Sequence, residues 1–220
     1  MKSTLTAALA AALFSAGVAS AATVTVNFDG PTSFASIDQF YNGGTDTAGV
    51  AGPNLGISFG LDALGLQNDA AGPYFSHAPS PIGVMSVVGP AALMNVFSNG
   101  GFSGVVSLFY SSSDLGTVKI YSGYNGSGSV LGQFNLTNNA TTGCVDSAYC
   151  NWTLATLNLG NNVARSIDFG GAAFTAAFDN LTVETVPLPA ALPMLAAGLA
   201  GLGALSRRKK GAAIGNQVSA

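Results

Sequence analysis

Short apolar segments separated by turn residues fill the chain between residues 22 and 186, and this pattern constrains the fold more than any other feature. No segment there keeps the charged, helix-period face that an amphipathic helix shows. Asn-Gly pairs at 42–43, 99–100 and 125–126 readily adopt the positive φ of tight turns. The pattern therefore predicts an all-β fold, a single β-sandwich or jelly-roll domain over residues 22–185.

The predicted strands are short and rich in β-branched, aromatic and other apolar residues. They cover residues 23–28, 57–61, 84–88, 93–97, 102–110, 117–121, 130–136, 152–159, 164–169 and 178–186. The chain shows no internal repeat and no linker long enough to split the domain. A domain of this length buries a substantial core.

The first 21 residues have the pattern of a secretory signal peptide. Lys2 precedes an apolar run over residues 5–18, and the small residues Ala19, Ser20 and Ala21 follow it. Signal peptidase recognises this arrangement, so we predict cleavage after Ala21 and export of the domain.

A second apolar run lies near the other end of the chain. From Leu188 to Leu205 there are 18 residues without a charge, and a helix of that length would extend about 27 Å in a hydrocarbon core of about 30 Å. Basic residues follow at 207–210, and Lys/Arg clusters stay on the cytoplasmic side. We therefore predict a transmembrane helix in the inner membrane, with residues 211–220 as a short cytoplasmic tail. The alternative is a buried core helix, which would show a polar face.

A Pro-containing box stands before this apolar run. The predicted sorting signal, within residues 186–210, consists of Val186, Pro187, Leu188, Pro189 and Ala190, and of the basic cluster Arg207, Arg208, Lys209 and Lys210. Box, span and cluster in this order closely resemble the VPLPA-CTERM variant of the PEP-CTERM sorting signals of Gram-negative bacteria. The resemblance implies that an exosortase-type membrane transpeptidase cuts near the box and that this chain, as its substrate, reaches the cell surface or extracellular matrix. The chain departs from the pattern in its tail, since such signals usually end soon after the cluster.

The charge of the predicted domain differs from that of the whole chain. Between residues 22 and 186 the only basic side chains are Lys119 and Arg165, against all ten acidic residues, so the domain has a net charge of −8 while the chain has −3. An acidic surface repels phosphate backbones, and we therefore expect no nucleic-acid partner. The same charge is compatible with binding of divalent cations.

The two cysteines, Cys144 and Cys150, are six positions apart. In an exported protein such a pair predicts a disulfide, which stabilises a small loop by about 2–3 kcal/mol in the chain-entropy model. A redox motif would need closer spacing and a helix N-terminus. A zinc site would need further ligands, and the only histidine is His77.

The scarcity of titratable side chains argues against catalysis. The predicted domain has one histidine and one glutamate, whereas general acid–base chemistry needs a titratable pair within reach of one substrate. No nucleophile-elbow motif accompanies the serines. We therefore predict that the protein is not an enzyme; a secreted glycan hydrolase with two aspartates remains an alternative.

Aspartates at the ends of the predicted domain suggest a cation site. Asp29 ends the first strand, Asp179 begins the last, and Asp46 lies in a Gly-rich loop. Terminal strands of a jelly roll often lie side by side, and Ca²⁺ accepts irregular sets of oxygen ligands. This arrangement is similar to the structural calcium site of jelly-roll carbohydrate-binding modules. The alternative is that these aspartates only turn the chain at strand ends.

Aromatic side chains could bind sugars or fill the core. Trp152 alternates with Leu154, which predicts burial, whereas Tyr124 between Gly123 and Asn125 is the candidate for glycan contact. We expect an exported, surface-sorted β-sandwich protein that associates with extracellular polysaccharide. A lectin-like carbohydrate-binding module with structural calcium is the alternative.

Overall fold

Two antiparallel β-sheets face each other across an apolar core in the computed structural model, which describes residues 22–186. The predicted signal peptide, transmembrane helix and basic cluster, and the sorting box after Val186, lie outside the described residues. Among residues 22–186 no helix is long and apolar enough to cross a membrane. The two sheets confirm the predicted β-sandwich.

Successive strands lie in different sheets, except that β3 and β4 share one sheet and β7 and β8 share the other. They are β1 (Ala22–Val26), β2 (Ile57–Phe59), β3 (Ala63–Gln67), β4 (Gly83–Val87), β5 (Leu93–Val96), β6 (Phe102–Ser112), β7 (Gly116–Tyr121), β8 (Val130–Leu136), β9 (Thr153–Asn158), β10 (Ser166–Asp168) and β11 (Ala176–Thr185). The six-stranded sheet has the order β3-β4-β11-β6-β9, with β1 also paired to β11. The five-stranded sheet has the order β2-β5-β10-β7-β8.

Strand β11 is the centre of the six-stranded sheet. One of its edges pairs with β6, while the other edge pairs with β4 near Phe178 and with β1 from Leu181 to Thr185. The first and last strands of the domain therefore lie side by side, as the sequence predicted.

The sandwich core follows from the period-2 alternation of the strands. In β7, Val118 and Ile120 are fully buried in the core, while Lys119 and Tyr121 point to the outer face. Aromatic rings fill much of the core, including an edge-to-face pair of Phe169 and Phe178 with centroids 5.0 Å apart. Both sheets thus contribute one face to the core and leave one face for loops to cover.

A second, smaller apolar cluster lies on the outer face of the six-stranded sheet. Its buried members are Leu66, Phe75, Val84 and Ala177, from three strands and one loop. Partly buried aromatic side chains from the loops pack against it, including Trp152. The loop segments around Phe75 and Trp152 therefore cover this outer face.

The sequence prediction missed one strand, β3. Its sequence, Ala-Leu-Gly-Leu-Gln, has low β-propensity because of the glycine and alanine. Gly65 fits there because a Cβ would lie 2.8 Å from the backbone oxygen of Thr32, in a loop that crosses the strand. That loop also bonds the strand, through Phe34 N to Gly65 O and Gly65 N to Ala35 O. The strand forms because of these tertiary contacts rather than its own propensity.

Candidate functional site

The loop at residues 122–129, between β7 and β8, folds back over the outer face of the five-stranded sheet. Two polar side chains on that face lie beneath it: Asn95 on β5 is 7% exposed, and Ser166 on β10 is fully buried. Buried polar groups must be hydrogen-bonded, and both find their partners in the loop.

Asn95 and Ser166 hold the loop by reciprocal hydrogen bonds. Asn95 Nδ2 donates to Asn125 Oδ1 at 2.9 Å, and Asn95 Oδ1 accepts from the Asn125 backbone N–H at 2.7 Å. Ser166 Oγ donates to Gly123 O at 2.6 Å and accepts from Gly126 N at 3.0 Å. Asn125 and Gly126 both have positive φ, 55° and 67°, which confirms the predicted turn. The loop is thus fixed to the sheet at two points.

The loop positions Tyr124 against Phe97, the residue that follows β5. Their rings are stacked, with centroids 5.2 Å apart and an interplanar angle of 25°. Phe97 is 46% exposed and Tyr124 is half-buried, so the pair forms a surface of aromatic rings that we call the aromatic platform. Tyr124 was predicted from the sequence as a glycan contact. Phe97 was not, because its sequence position is that of the last residue of an apolar strand.

Arg165 completes this site with a positive charge. Its Cζ lies 6.0 Å from the centroid of the Tyr124 ring, and its Nη1 donates to Ser122 O at 2.8 Å. No carboxylate lies within 4.0 Å of the guanidinium among residues 22–186, where the one ion pair is His77 with Asp146. The platform therefore combines flat apolar surface with a cationic hydrogen-bond donor.

The structure brings Asp29 and Asp179 to the same loop. Asp29 Oδ1 accepts from the N–H groups of Ile82 at 3.1 Å and Gly83 at 2.9 Å. Fully buried Asp179 accepts from the backbone N–H of Ser80 at 2.6 Å and from its hydroxyl at 2.8 Å. Burial, with a smaller contribution from the charge of Asp29, raises the pKa of Asp179 to about 6 despite these bonds.

A buried hydroxyl without a partner lies beside these two carboxylates. Tyr41 is 4% exposed, and its hydroxyl has no hydrogen-bond partner among the described residues. Burial raises the pKa of the Tyr41 phenol, and the charges of Asp29 and Asp179 raise it further. The Tyr41 phenol therefore stays neutral at neutral pH.

Asp46 is not part of this arrangement. Its carboxylate accepts the N–H groups of Thr32, Ala48 and Val50 at 2.8 to 3.0 Å, so it fixes its own loop. Although burial raises the pKa of Asp46, these donors lower it below its ordinary value. Among residues 22–186 the three aspartates do not meet within 4.8 Å of one another, and Asp46 does not contact the loop that Asp29 and Asp179 share; calcium binding by these residues stays a prediction.

The structure confirms the predicted disulfide between Cys144 and Cys150, whose Cα atoms are 6.0 Å apart. The bond closes the loop that leads to Trp152, whose indole N–H donates to Ser76 O at 2.9 Å. Trp152 is partly buried against the cluster around Phe75, on the outer face of the six-stranded sheet rather than in the sandwich core, and Leu154, with which it alternates, is 54% exposed.

A Ser-His-Asp group lies beside the disulfide, but its geometry is not that of a catalytic triad. Ser76 Oγ donates directly to Asp146 at 2.9 Å, and His77 Nδ1 is 3.5 Å from that hydroxyl and 3.3 Å from Cys150 O. In a triad the histidine stands between the serine and the carboxylate. His77, Asp146 and Cys144 also have ligand atoms within 4.8 Å of one another, but the sulfur of Cys144 is in the disulfide and offers no thiolate.

A shallow groove of about 390 Å³ lies at the opposite end of the five-stranded sheet. Leu115, Asn135 and Gly171 are among the residues that line it. Neighbouring Phe174 is 75% exposed and follows a short 3₁₀ helix, Gly170–Ala172. This end has one exposed aromatic ring but, among the described residues, no stacked pair.

No protein-family model and no curated protein matches the chain. Similar solved structures include a family 29 carbohydrate-binding module from Piromyces equi, with 14% identity over 76% of this chain and 91% of that chain and a TM-score of 0.40. A cleaved adhesin domain of Lys-gingipain from Porphyromonas gingivalis has 13% identity over 75% of this chain and 99% of that chain, and a TM-score of 0.40.

Proposed function

We propose that the chain is an exported, non-catalytic β-sandwich protein that is displayed at the cell surface and holds extracellular polysaccharide on the aromatic platform. The observation that carries this proposal is the exposed stack of Phe97 and Tyr124 on a loop fixed by buried hydrogen bonds. A sugar ring presents apolar C–H groups on its faces, and a flat aromatic surface with a few polar groups at its rim is complementary to them.

The rigid support of the platform favours binding. Asn95 and Ser166 belong to strands, and they fix the loop before any ligand arrives. A preorganised surface loses little conformational entropy when it binds, so more of the contact energy remains as affinity.

The hydrogen bonds of Asp29 and Asp179 support the non-catalytic part of the proposal. Asp29 and Asp179 accept hydrogen bonds from backbone N–H groups of one loop, which suits a structural role. We also propose that structural calcium is held by Asp29 and Asp179, where it would neutralise two adjacent carboxylates. Added calcium then raises the melting temperature of the wild type at pH 7 and has little effect on a D29N/D179N variant.

Export and sorting are supported by the sequence pattern at both ends. In this proposal signal peptidase cuts after Ala21, and an exosortase-type membrane transpeptidase cuts near Val186–Ala190 after the membrane span has stopped translocation. The intact mass of the protein recovered from cells and from medium tests this. Mature protein beginning at Ala22 and ending near the box is the expected product, whereas recovery of only chains that retain Arg207 to Ala220 would contradict processing.

Binding is tested with the full chain purified in detergent and with immobilised xylohexaose, cellohexaose and oligogalacturonate as probes. An F97A/Y124A double variant is expected to bind at least about tenfold more weakly than wild type, because it removes both rings of the platform. Phe174→Ala is the matched control, since it removes an exposed ring at the other end of the sheet.

The melting temperatures of both variants are measured in parallel, because surface substitutions should leave stability within about 0.5 kcal/mol. No retention of wild type on any of the three probes would reject the platform as a glycan site. Equal losses in the double variant and in Phe174→Ala would reject it as well.

A further inference from the structure

We infer that the aromatic platform takes an acidic sugar, a uronate, and that the guanidinium of Arg165 binds its carboxylate. The inference rests on the proposed function, because it names the class of glycan that the platform holds.

The first support is the number of guanidinium N–H donors of Arg165 that are not hydrogen-bonded to the protein. A guanidinium carries five N–H donors, and Arg165 uses one of them, on Ser122 O. Among residues 22–186 its side chain makes no other hydrogen bond to protein and has no carboxylate within 4.0 Å. The remaining donors stand beside the Tyr124 ring, at the edge of an exposed surface.

The second support is the position of Arg165 as a separate cation in an acidic domain. Between residues 22 and 186, ten acidic side chains face two basic ones, so an anionic polymer is repelled from most of this surface. The other basic side chain, Lys119, has Asp168 as its neighbour on the adjacent strand. Arg165 is therefore the place where a negative group can meet a cation beside aromatic rings.

The third support is that the loop does not depend on Arg165 for its position. Asn95 and Ser166 together make four hydrogen bonds to the loop, against one from Arg165. Arg165 is also held by its own backbone, whose N–H donates to Tyr121 O and whose carbonyl accepts from Val96 N. Its side chain is thus a ligand-binding group on a fixed base rather than a support for the loop.

The chemistry of the pair favours a carboxylate over a neutral hydroxyl. A guanidinium and a carboxylate form two parallel charge-assisted hydrogen bonds, which are roughly twice as strong as neutral ones. A uronate ring stacked on the platform presents both parts of the ligand at once: apolar C–H groups to the rings and a carboxylate to Arg165.

The experiment compares hexagalacturonate with its fully methyl-esterified form, which keeps the sugar backbone and removes the charges. Both are titrated into the full-length wild type, Arg165→Gln, Arg165→Lys and Lys119→Gln. We expect wild type to bind the acid about tenfold more tightly than the ester, from charge-assisted hydrogen bonding, and Arg165→Gln to bind the two equally. Lys119→Gln, which changes the net charge by the same amount, should keep the tenfold preference, and Arg165→Lys should keep part of it.

The outcomes separate this inference from the proposed function. Equal binding of acid and ester by wild type would overturn the uronate assignment and leave the platform as a site for neutral glycans. Equal weakening of acid and ester in Arg165→Gln would overturn it too, because Arg165 would then only support the site. If wild type binds neither form but retains xylohexaose, the inference fails alone; if it binds no glycan at all, the proposed function fails with it.

Discussion

Each sheet of the sandwich has an outer face covered by loops, and the two covers are attached in different ways. Over the six-stranded sheet the cover is apolar, since Phe75 packs on Leu66, Val84 and Ala177, and a disulfide closes the neighbouring loop. Over the five-stranded sheet the cover is polar, and the 122–129 loop is held by side-chain hydrogen bonds. Apolar contact is non-directional and supplies stability, whereas hydrogen bonds fix one geometry and contribute less free energy each.

The contrast predicts that the apolar cover controls stability and the polar cover controls binding. The aromatic platform belongs to the polar cover, where the directional hydrogen bonds that fix the loop matter more than the free energy that they add to folding. The substitutions below test this division, from the largest expected effect on stability to the smallest.

Phe75→Ala should have the largest effect. Phe75 is 2% exposed at the centre of the smaller cluster, and truncation of a buried phenylalanine costs about 3–5 kcal/mol. Urea unfolding measures the loss, and glycan affinity of the molecules that remain folded should be unchanged. A loss below about 1 kcal/mol would show that the apolar cover contributes little.

Asp179 should make stability depend on pH between about 4 and 6. Its pKa is raised from 3.8 to about 6, so the folded state binds the proton more tightly than the unfolded state. The contribution of Asp179 to stability is therefore largest below pH 4, falls by about 3 kcal/mol as the pH rises to 6, and is constant above that. Asp179→Asn should lack this fall, and unfolding free energies of both proteins at pH 4 and pH 7 measure the difference. Parallel pH dependence in the two proteins would contradict the assignment to Asp179.

Removal of the disulfide should cost about 2 kcal/mol, because the loop that it closes is short. A C144S/C150S double variant tests this by urea unfolding. Its glycan affinity should equal that of wild type, since the disulfide is beside the cover over the other sheet, away from the aromatic platform. A large loss of affinity in this variant would remove the division between the two covers.

Asn95→Ala should have the smallest effect on stability and a large effect on binding. It removes two hydrogen bonds to Asn125 from beneath the 122–129 loop, but Asn125 is exposed and can bond water instead, so we expect a net loss of about 1 kcal/mol, less than that of the disulfide. The freed loop should hold Tyr124 less firmly, so we expect weaker glycan binding with only a small change in melting temperature. Asn161→Ala is the matched control and should change neither quantity, because Asn161 is an exposed asparagine after β9 whose side chain makes no hydrogen bond among the described residues.

The sequence was sufficient for the class of fold and for most strands, because alternation and turn chemistry are local. Val130–Leu136 was predicted with its observed bounds, and the positive φ of Asn125 and Gly126 follows from the Asn-Gly pair. The disulfide was predictable since only two cysteines exist.

The candidate site was only partly predictable, because its geometry depends on distant partners. Tyr124 was found from its glycine-flanked loop, but Asn95 lies 30 positions from Asn125, and Ser166 lies 43 positions from Gly123. Both look like ordinary polar residues of a strand. The contacts of Asp46 were equally hidden: its Gly-rich loop suggested a ligand, and the structure shows its carboxylate accepting the N–H groups of Thr32, Ala48 and Val50.

The position of β11 has a mechanical consequence. Val186 leaves directly from this strand, and hydrogen bonds to β6 on one edge and to β4 and β1 on the other run perpendicular to it. A pull on the chain beyond Val186, directed along the strand, would load these bonds in shear, so many would have to break together before the strand slid out. If the protein were anchored through its C-terminal side while its platform bound a polymer, tension would pass along β11, which is paired with other strands on both edges.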